Sequence, residues 1–577
     1  MKALRTLLLI LLLSLVPHLV AGGAPSRLTV TSYGAAGQVS GSLHILDTGD
    51  GRWMIDCGAV IDKKTAPSSA RDAGSIDEHF LPQTLPAGVE KVDALLLTHA
   101  HVDHLGRLPL LASKGFSGPI FATEATATLA VPMLRIIVRR DLAISRDWAW
   151  SPERRLQSES SKKSLWVHWR LCKYRQAIND GDQEHAKCSL ESLKKRFQEA
   201  ATPVKVVPCE ECIQSEVDAL LRYVKTVKYN DPHRLATDVY VTFLDAGHIP
   251  GSASLLFEVD GPGSSRRIIF SGDLGNGLSP LAFLPPPAPP ADVIFVEATY
   301  GNITRDPVVQ QQRQQFRRNI GQSVAKQGVT WIPCYSLDRT QKILYELHLA
   351  QRERLIPESL PIYCPSPTAK EVTELYRKNR PLGWFPPAIA KDCDAFFPRE
   401  VRGTVPSAKR LPCPCIIISS SDLTAVPWMR RLLTAVLPEK TTGIFLVGYQ
   451  DSETSGERLL QGARSLDIDG QKVPIAATVS SYSCFSGHGD ASDIDRWLIK
   501  MPKTSTVVLV HGDHADLETR ARQLRARFQH VLVARAGATI DLTEATMATD
   551  KRLAGQSDNH EEPKEHGGLV ESRVGSN

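Results

Sequence analysis

Residues 93–107, DALLLTHAHVDHLGR, constrain this chain more than any other stretch, because an apolar run (94–97) leads straight into His99, His101, Asp103 and His104. Such a run bounded by polar residues reads as a buried strand, so the imidazoles and the carboxylate leave from its end on a loop held by a rigid scaffold. Four ligand-type side chains so close together outline a dinuclear metal site. Imidazole and carboxylate suit Zn²⁺, and two ions a few ångströms apart can activate a water and clamp an oxyanion or phosphoryl group. A solvated polar loop after a core strand would account for any one of these residues singly, but not for their density and spacing.

One cluster cannot close two coordination shells, so other strand ends must contribute. Residues 243–254, FLDAGHIPGSAS, place His248 after an apolar run and before small residues. Residues 268–276, IIFSGDLGN, put Asp273 where one carboxylate could bridge both ions. Residues 53–58, WMIDCG, offer Asp56 as an outer acceptor that orients a ligating imidazole. Taken alone, His248 could be a satisfied core histidine, and Asp56 and Asp273 turn carboxylates. Their shared position at the ends of apolar runs argues for a joint role.

The remaining chain predicts layered α/β structure. At 577 residues it exceeds one ordinary core, and 42% apolar with 23% charged residues is normal for a globular protein. Apolar strand patterns alternate with helical ones throughout. Residues 303–478 read as an inserted domain: helix 310–327, strand 329–333, helix 337–352, strand 360–364 and helix 368–377. After it, 507–510 and 530–534 read as strands flanking the basic helix 517–528.

Three further stretches narrow the reading: VEATYGN (296–302), SGHGD (486–490) and VLVHGD (508–513). With the histidine-rich loop they resemble the metallo-β-lactamase superfamily and, within it, the β-CASP nucleic-acid hydrolases of the mRNA 3′-end cleavage factor type. IPCYSLDRTQKILYEL (332–347) and GIFLVGYQDSETSGERLL (443–460) are similar to the inserted β-CASP domain. The resemblance spans about residues 27–542. It implies an αββα metallo-β-lactamase sandwich with an inserted β-CASP α/β domain: the sandwich in two parts, 27–302 and 479–545, the insert at 303–478, and the site in the cleft between them. It also implies two Zn²⁺, one on His99, His101 and His248, the other on Asp103, His104 and His511, with Asp273 bridging. Asp103 then belongs to the catalytic set. His488 would protonate the leaving ribose oxygen, and Glu297 would hold that imidazole. Breaking a phosphodiester needs a hydroxide, neutralisation of phosphate charge and a proton for the departing alkoxide. Two metals would serve the first two and a carboxylate-paired histidine the third; taken alone, His488 could be structural, but its Gly-Ser surroundings favour close approach of a substrate backbone. The implied substrate is single-stranded nucleic acid, RNA before DNA.

Some features depart from this pattern. A helical insertion is expected at about 134–235, with the pair Cys209 and Cys212. A CxxC can be half of a zinc site, but Cys172 and Cys188 give no matching second half. Residues 416–426, IIISSSDLTAV, stand where the family usually has a glycine-rich turn. Lys2 and Arg5, the apolar run 7–20 and the small residues 21–24 read as a secretory signal over residues 1–24, implying export and no other membrane domain; a different start would leave the chain in the cytoplasm. The formal charge of +5 is mild. Arg520, Arg522, Arg525 and Arg527 crowd one helix, whose ordinary explanation is a solvated face rather than a nucleic-acid groove. Eleven cysteines do not form the pattern of a disulfide scaffold. The polar tail, 550–577, should be disordered. Beside a ribonuclease, the sequence admits an exported hydrolase of a smaller non-nucleic-acid substrate, or a non-catalytic scaffold, although no ligand position is degenerate.

Overall fold

The computed structural model describes residues 28–61, 83–150, 210–261, 264–305, 308–335, 337–392, 401–419, 423–424, 427–448, 450 and 454–543. The signal-like segment, Cys209 of the CxxC pair, residues 420–422 and the tail lie outside the described residues, whereas Cys212 falls in helix Glu210–Leu221. No described helix is long and apolar enough to cross a membrane. Cys57, Cys334, Cys364, Cys413, Cys415 and Cys484 are free thiols.

Two seven-stranded sheets face each other. In the first, Thr539–Asp541, Thr29–Gly34, Leu43–Asp47, Arg52–Ile55, Ala94–Leu96, Ile120–Thr123 and Val224–Val227 follow in that order. In the second the order is His530–Val533, Thr506–Val510, Val293–Glu297, Ser264–Phe270, Ala253–Gly261, Val239–Asp245 and His233–Ala236. Period-two alternation assigns the faces. Leu95 and Leu97 turn outward to the helices, whereas Ala94 and Leu96 turn in to meet the second sheet. In the second sheet Val508 and Val510 point inward and Val507 and Leu509 outward, under the helices Ala491–Trp497 and His514–Leu524. Phe270 and Phe295 stack in the inter-sheet core with centroids 4.7 Å apart. This is the αββα sandwich expected.

The chain between the two parts forms a third, six-stranded sheet: Val401–Arg402, Ile362–Tyr363, Cys415–Ser419, Val329–Pro333, Gly443–Leu446 and Thr478–Ser481. Every pairing in it is parallel. Its strands carry buried side chains on both faces, as a parallel sheet wound with helices requires. Val308–Ala325 and Arg339–Arg352 cover one face, and Pro427–Val436 the other.

Two expected boundaries move. The strand Thr478–Ser481 completes the inserted sheet, so this unit runs past 478. The segment expected as a helical insertion at about 134–235 is not helical at its end. Its helix Glu124–Trp150 begins ten residues earlier and Glu210–Leu221 is helical, but Val224–Val227 and His233–Ala236 are edge strands, one in each sandwich sheet. These short, half-exposed strands gain their order from a neighbouring strand.

The units are also joined by apolar packing. Leu337, Val372, Tyr376, Trp384, Phe385 and Ile389 of the insert belong to the core cluster that covers the first sandwich sheet. Arg135 of helix Glu124–Trp150 pairs with Glu371 of the insert's helix Pro367–Asn379. At roughly 1.5–3 kcal/mol for each buried apolar side chain, this contact outweighs a half-exposed ion pair, so packing sets how the insert sits over the site.

Candidate metal centre

Every expected ligand stands at or just beyond a strand end on one rim of the sandwich. His99, His101, Asp103 and His104 follow Ala94–Leu96; His248 follows Val239–Asp245; Asp273 follows Ser264–Phe270; and His511 follows Thr506–Val510. Tight backbone contact makes this possible. The short helix Val102–Leu105, which carries Asp103 and His104, lies directly on Gly58, where an added Cβ would sit 1.5 Å from the Asp103 carbonyl oxygen. Only glycine fits there, which explains the Asp-Cys-Gly order at 56–58. His511 itself has φ 54°, a left-handed conformation that costs a non-glycine residue energy and concentrates at functional sites. Its N–H donates to the Ala35 carbonyl at 2.7 Å while its ring points into the site.

The ligand-type atoms fall into two groups. His101 Nδ1 lies 3.0 Å from His99 Nε2 and 3.2 Å from His248 Nε2. His511 Nε2 lies 3.2 Å from His104 Nε2 and 3.5 Å from Asp103 Oδ2. Asp273 stands between them with one oxygen for each. Its Oδ2 is 3.4 Å from His99 Nε2 and 3.6 Å from His248 Nε2, and its Oδ1 is 3.2 Å from His104 Nε2 and 3.5 Å from His511 Nε2. His99, His104, His248, Asp273 and His511 are buried, whereas Asp103, His101 and His488 border the opening.

The surrounding hydrogen bonds decide which ring nitrogens carry protons. Asp56 accepts from the Thr98 hydroxyl and amide and from the Ser42 hydroxyl. An ionised carboxylate only accepts, so His104 Nδ1, 2.7 Å from Asp56 Oδ2, carries a hydrogen. Because the Thr98 hydroxyl is spent on Asp56, it accepts from His99 Nδ1 at 3.1 Å. Likewise the Thr299 hydroxyl donates to Glu297 Oε2 at 2.7 Å and so accepts from His511 Nδ1 at 2.9 Å. In their neutral forms His99, His104 and His511 therefore aim Nε2 lone pairs into the centre, towards one another and towards Asp273. Lone pairs at such separations repel unless a cation or a proton lies between them. A tetrahedral ion with bonds of ~2.0–2.1 Å spaces its ligand atoms about 3.3 Å apart, which is the spacing found here. Asp273 Oδ1 is buried without a conventional hydrogen bond. The donor set thus fits metal ions of the zinc type.

Protonation differs between the groups in the metal-free chain. Burial, reinforced by the neighbouring imidazoles, holds His99 and His248 well below the ordinary histidine range, and burial pulls His101 down to about 4. Burial also opposes charge on His104 and His511, but the carboxylates of Asp273 and Asp56 push His104 well above that range, and Asp273 with Asp103 raises His511. The first group is therefore neutral and ready to ligate at pH 7, whereas the second is biased towards its protonated form, His104 most strongly, and a metal must displace what it holds. Zinc added to metal-free protein in weak buffer should release about one to two protons, and uptake at the second group should weaken as pH falls through the raised histidine values. Zinc binding at both groups with no proton release, followed by indicator dye and calorimetry, would contradict this assignment.

Beside the metal groups lies a second constellation. His488 Nδ1 is 3.0 Å from Glu297 Oε1. Glu297 is fully buried and also accepts from the amides of Leu274 and Thr299. Gly487 lies against the His248 ring, where a Cβ would come within 2.7 Å of Cε1. All the site residues expected from sequence thus meet in one place.

Sequence reasoning missed Thr98 and Thr299, the hydroxyls that set the ring tautomers. Each lies within two residues of a singled-out residue, but a threonine carries no signal of its own. The expected basic helix ends at Leu524, which leaves Arg525 and Arg527 in the turn after it; Arg520 is buried and donates to the Ala491 carbonyl and Asp495, and Arg527 reaches the Leu498 carbonyl. These two tie helices together, which is neither a solvated face nor a groove.

Family models match in three places: the metallo-beta-lactamase superfamily over residues 36–134, the Beta-Casp domain over 340–459, and the Zn-dependent metallo-hydrolase RNA specificity domain over 472–534. Over 519 residues the chain is 28% identical to ribonuclease TTHA0252 of Thermus thermophilus, covering 88% of this chain and 98% of that one. It is 25% identical over 529 residues to transcription termination factor FttA of Cenarchaeum symbiosum, covering 87% and 69%. Against cleavage and polyadenylation specificity factor subunit 3 of Dictyostelium discoideum it is 22% identical over 514 residues, covering 88% and 56%.

Proposed function

Because this chain belongs to the β-CASP family of the metallo-β-lactamase superfamily and matches the Zn-dependent metallo-hydrolase RNA specificity domain, we propose that it cleaves phosphodiester bonds in single-stranded RNA using two zinc ions. His99, His101, His248 and one Asp273 oxygen would hold one ion, and Asp103, His104, His511 and the other oxygen the second. Such a pair, when bound, supplies the positive charge that activates a water and neutralises the phosphate. The observation that carries the reading is the Asp273 carboxylate with one oxygen towards each nitrogen group, beside a histidine whose Nδ1 is paired with the buried Glu297 carboxylate.

The chain's own residues then divide the remaining work. Glu297 accepts from His488 Nδ1, which fixes the ring orientation and stabilises its charged form. His488 Nε2 is thereby left to give its proton to the oxygen of the departing ribose. Asp56, Thr98 and Thr299 hold the ligating rings in the tautomer that points a lone pair inward. A proton donor of this kind matters for a poor leaving group such as an alkoxide. That favours a nucleic-acid backbone over an activated ester or lactam.

Purified, zinc-loaded protein should cut labelled single-stranded RNA, cut single-stranded DNA more slowly, and leave duplex DNA, a simple ester and a β-lactam largely intact. Turnover of the ester or lactam with no cleavage of RNA would overturn the reading in favour of a smaller substrate.

A further inference from the structure

His488 is flanked by Gly487 and Gly489, residues that leave a backbone free to move unless something outside the segment restrains it. Part of the restraint is main chain: the Gly489 amide donates to the Leu274 carbonyl at 2.7 Å. The His488 carbonyl has two side-chain donors of unequal quality. Asn276 Nδ2 is 3.4 Å away, at the limit of a hydrogen bond, whereas Arg305 Nη2 is at 2.6 Å, the length of a charge-assisted one.

Arg305 is itself fixed at two further points. Its amide donates to Asp490 Oδ2 at 2.6 Å, and Asp490 uses its other oxygen to cap the helix Ala491–Trp497. Its guanidinium lies over the Tyr300 ring, 4.4 Å from the centroid, an arrangement that favours a planar cation. Tyr300 in turn stands edge-on to the His488 ring with centroids 6.2 Å apart. Among the described residues the short charge-assisted bond of the Arg305 guanidinium goes to the His488 carbonyl.

We propose that Arg305 is a positioning residue for the proton donor. It fixes the backbone of His488 from the carbonyl side while Glu297 fixes the ring, and Tyr300 holds the guanidinium in place. The proposal rests on the reading of His488 as the group that protonates the leaving oxygen. A side chain that acts only through His488 has a distinctive kinetic signature. Its loss should lower kcat without raising KM, should matter little when the leaving group needs no proton, and should add nothing once His488 is gone.

The test compares Arg305→Ala, Arg305→Lys, His488→Ala and the Arg305→Ala/His488→Ala double variant. Each is assayed on single-stranded RNA and on bis(p-nitrophenyl) phosphate, with zinc content and melting temperature measured alongside. Arg305→Ala should retain its zinc and lose roughly 10²-fold in kcat on RNA, the scale of an ångström-sized misplacement of a reacting group, with a much smaller loss on the nitrophenyl ester. Arg305→Lys keeps a cationic donor without the planar stack and should fall between, and it keeps the question open to measurement if the alanine variant folds poorly. The double variant should be no slower than His488→Ala. Losses that multiply in the double variant, a raised KM with kcat retained, or an equal loss on both substrates would each overturn the positioning role. If His488→Ala itself loses equally on both substrates, the proton-donor reading falls and takes this proposal with it. If His488→Ala behaves as a proton donor and Arg305→Ala does not follow it, only the positioning role falls.

Discussion

Replacing Asp273 by alanine should empty both metal groups at once and abolish cleavage. The carboxylate offers one oxygen to each nitrogen group, at 3.2 and 3.5 Å on one side and 3.4 and 3.6 Å on the other, so a single substitution removes a ligand from two shells. Two divalent ions held close together also repel, and in a buried site with little water to screen them a shared anion is what offsets that repulsion. The variant should bind well under one zinc per chain instead of about two, with at least ~10³-fold lower turnover of RNA. The fold should survive. Asp273 is the carboxylate that contributes most to raising His104 and His511, so without it those buried rings shed their protons instead of remaining as unpaired charges. Elemental analysis with circular dichroism decides the matter. Full metal content in a folded Asp273→Ala protein would show that the bridge is misassigned.

His488→Ala should have the opposite profile, with metal kept and chemistry lost. The nearest polar partner of its ring is Glu297 at 3.0 Å, and without that ring the groups His99, His101, His248, Asp273 and Asp103, His104, His511 still have all their members. A positioned general acid contributes about 10²–10⁴-fold, so turnover of RNA should drop by that amount while zinc stays bound. The loss should shrink for a nitrophenyl phosphodiester, whose leaving group is already a stable anion. Glu297→Gln should follow the same pattern more weakly. It can still accept from His488 Nδ1, but it no longer stabilises the imidazolium, and it disturbs the acceptor role towards the Leu274 and Thr299 amides. An equal loss on both substrates with zinc retained would mean that His488 orients the substrate and that the proton comes from elsewhere. The close approach of His488 Nδ1 to Asp273 Oδ2, 3.8 Å, leaves one alternative, in which the ring ligates metal; loss of zinc from His488→Ala would establish it.

The sequence by itself carried the candidate ligands and the fold class, because both rest on local signals. Apolar runs with period-two alternation mark the strands, and polar, ligand-type residues at their ends mark the rim where loops emerge. His99, His101, Asp103 and His104 are legible as a cluster for that reason. His248, Asp273, His488 and His511 are legible only as residues at similar places, joined into one site by the family resemblance. Tertiary structure decided the rest. That Thr98 and Thr299 set the ring tautomers, that Asp273 divides its two oxygens between the groups, and that Arg305 reaches the carbonyl of a residue 183 positions away follow from contacts between distant segments. The same limit explains the misread end of the expected helical insertion. Val224–Val227 and His233–Ala236 are too short and too exposed to declare themselves, and they become strands because Ile120–Thr123 and Val239–Asp245 present open edges for them to pair with. Patterning along a chain records which way each side chain faces. Which distant edge or carbonyl it meets depends on packing between elements, which no local period encodes.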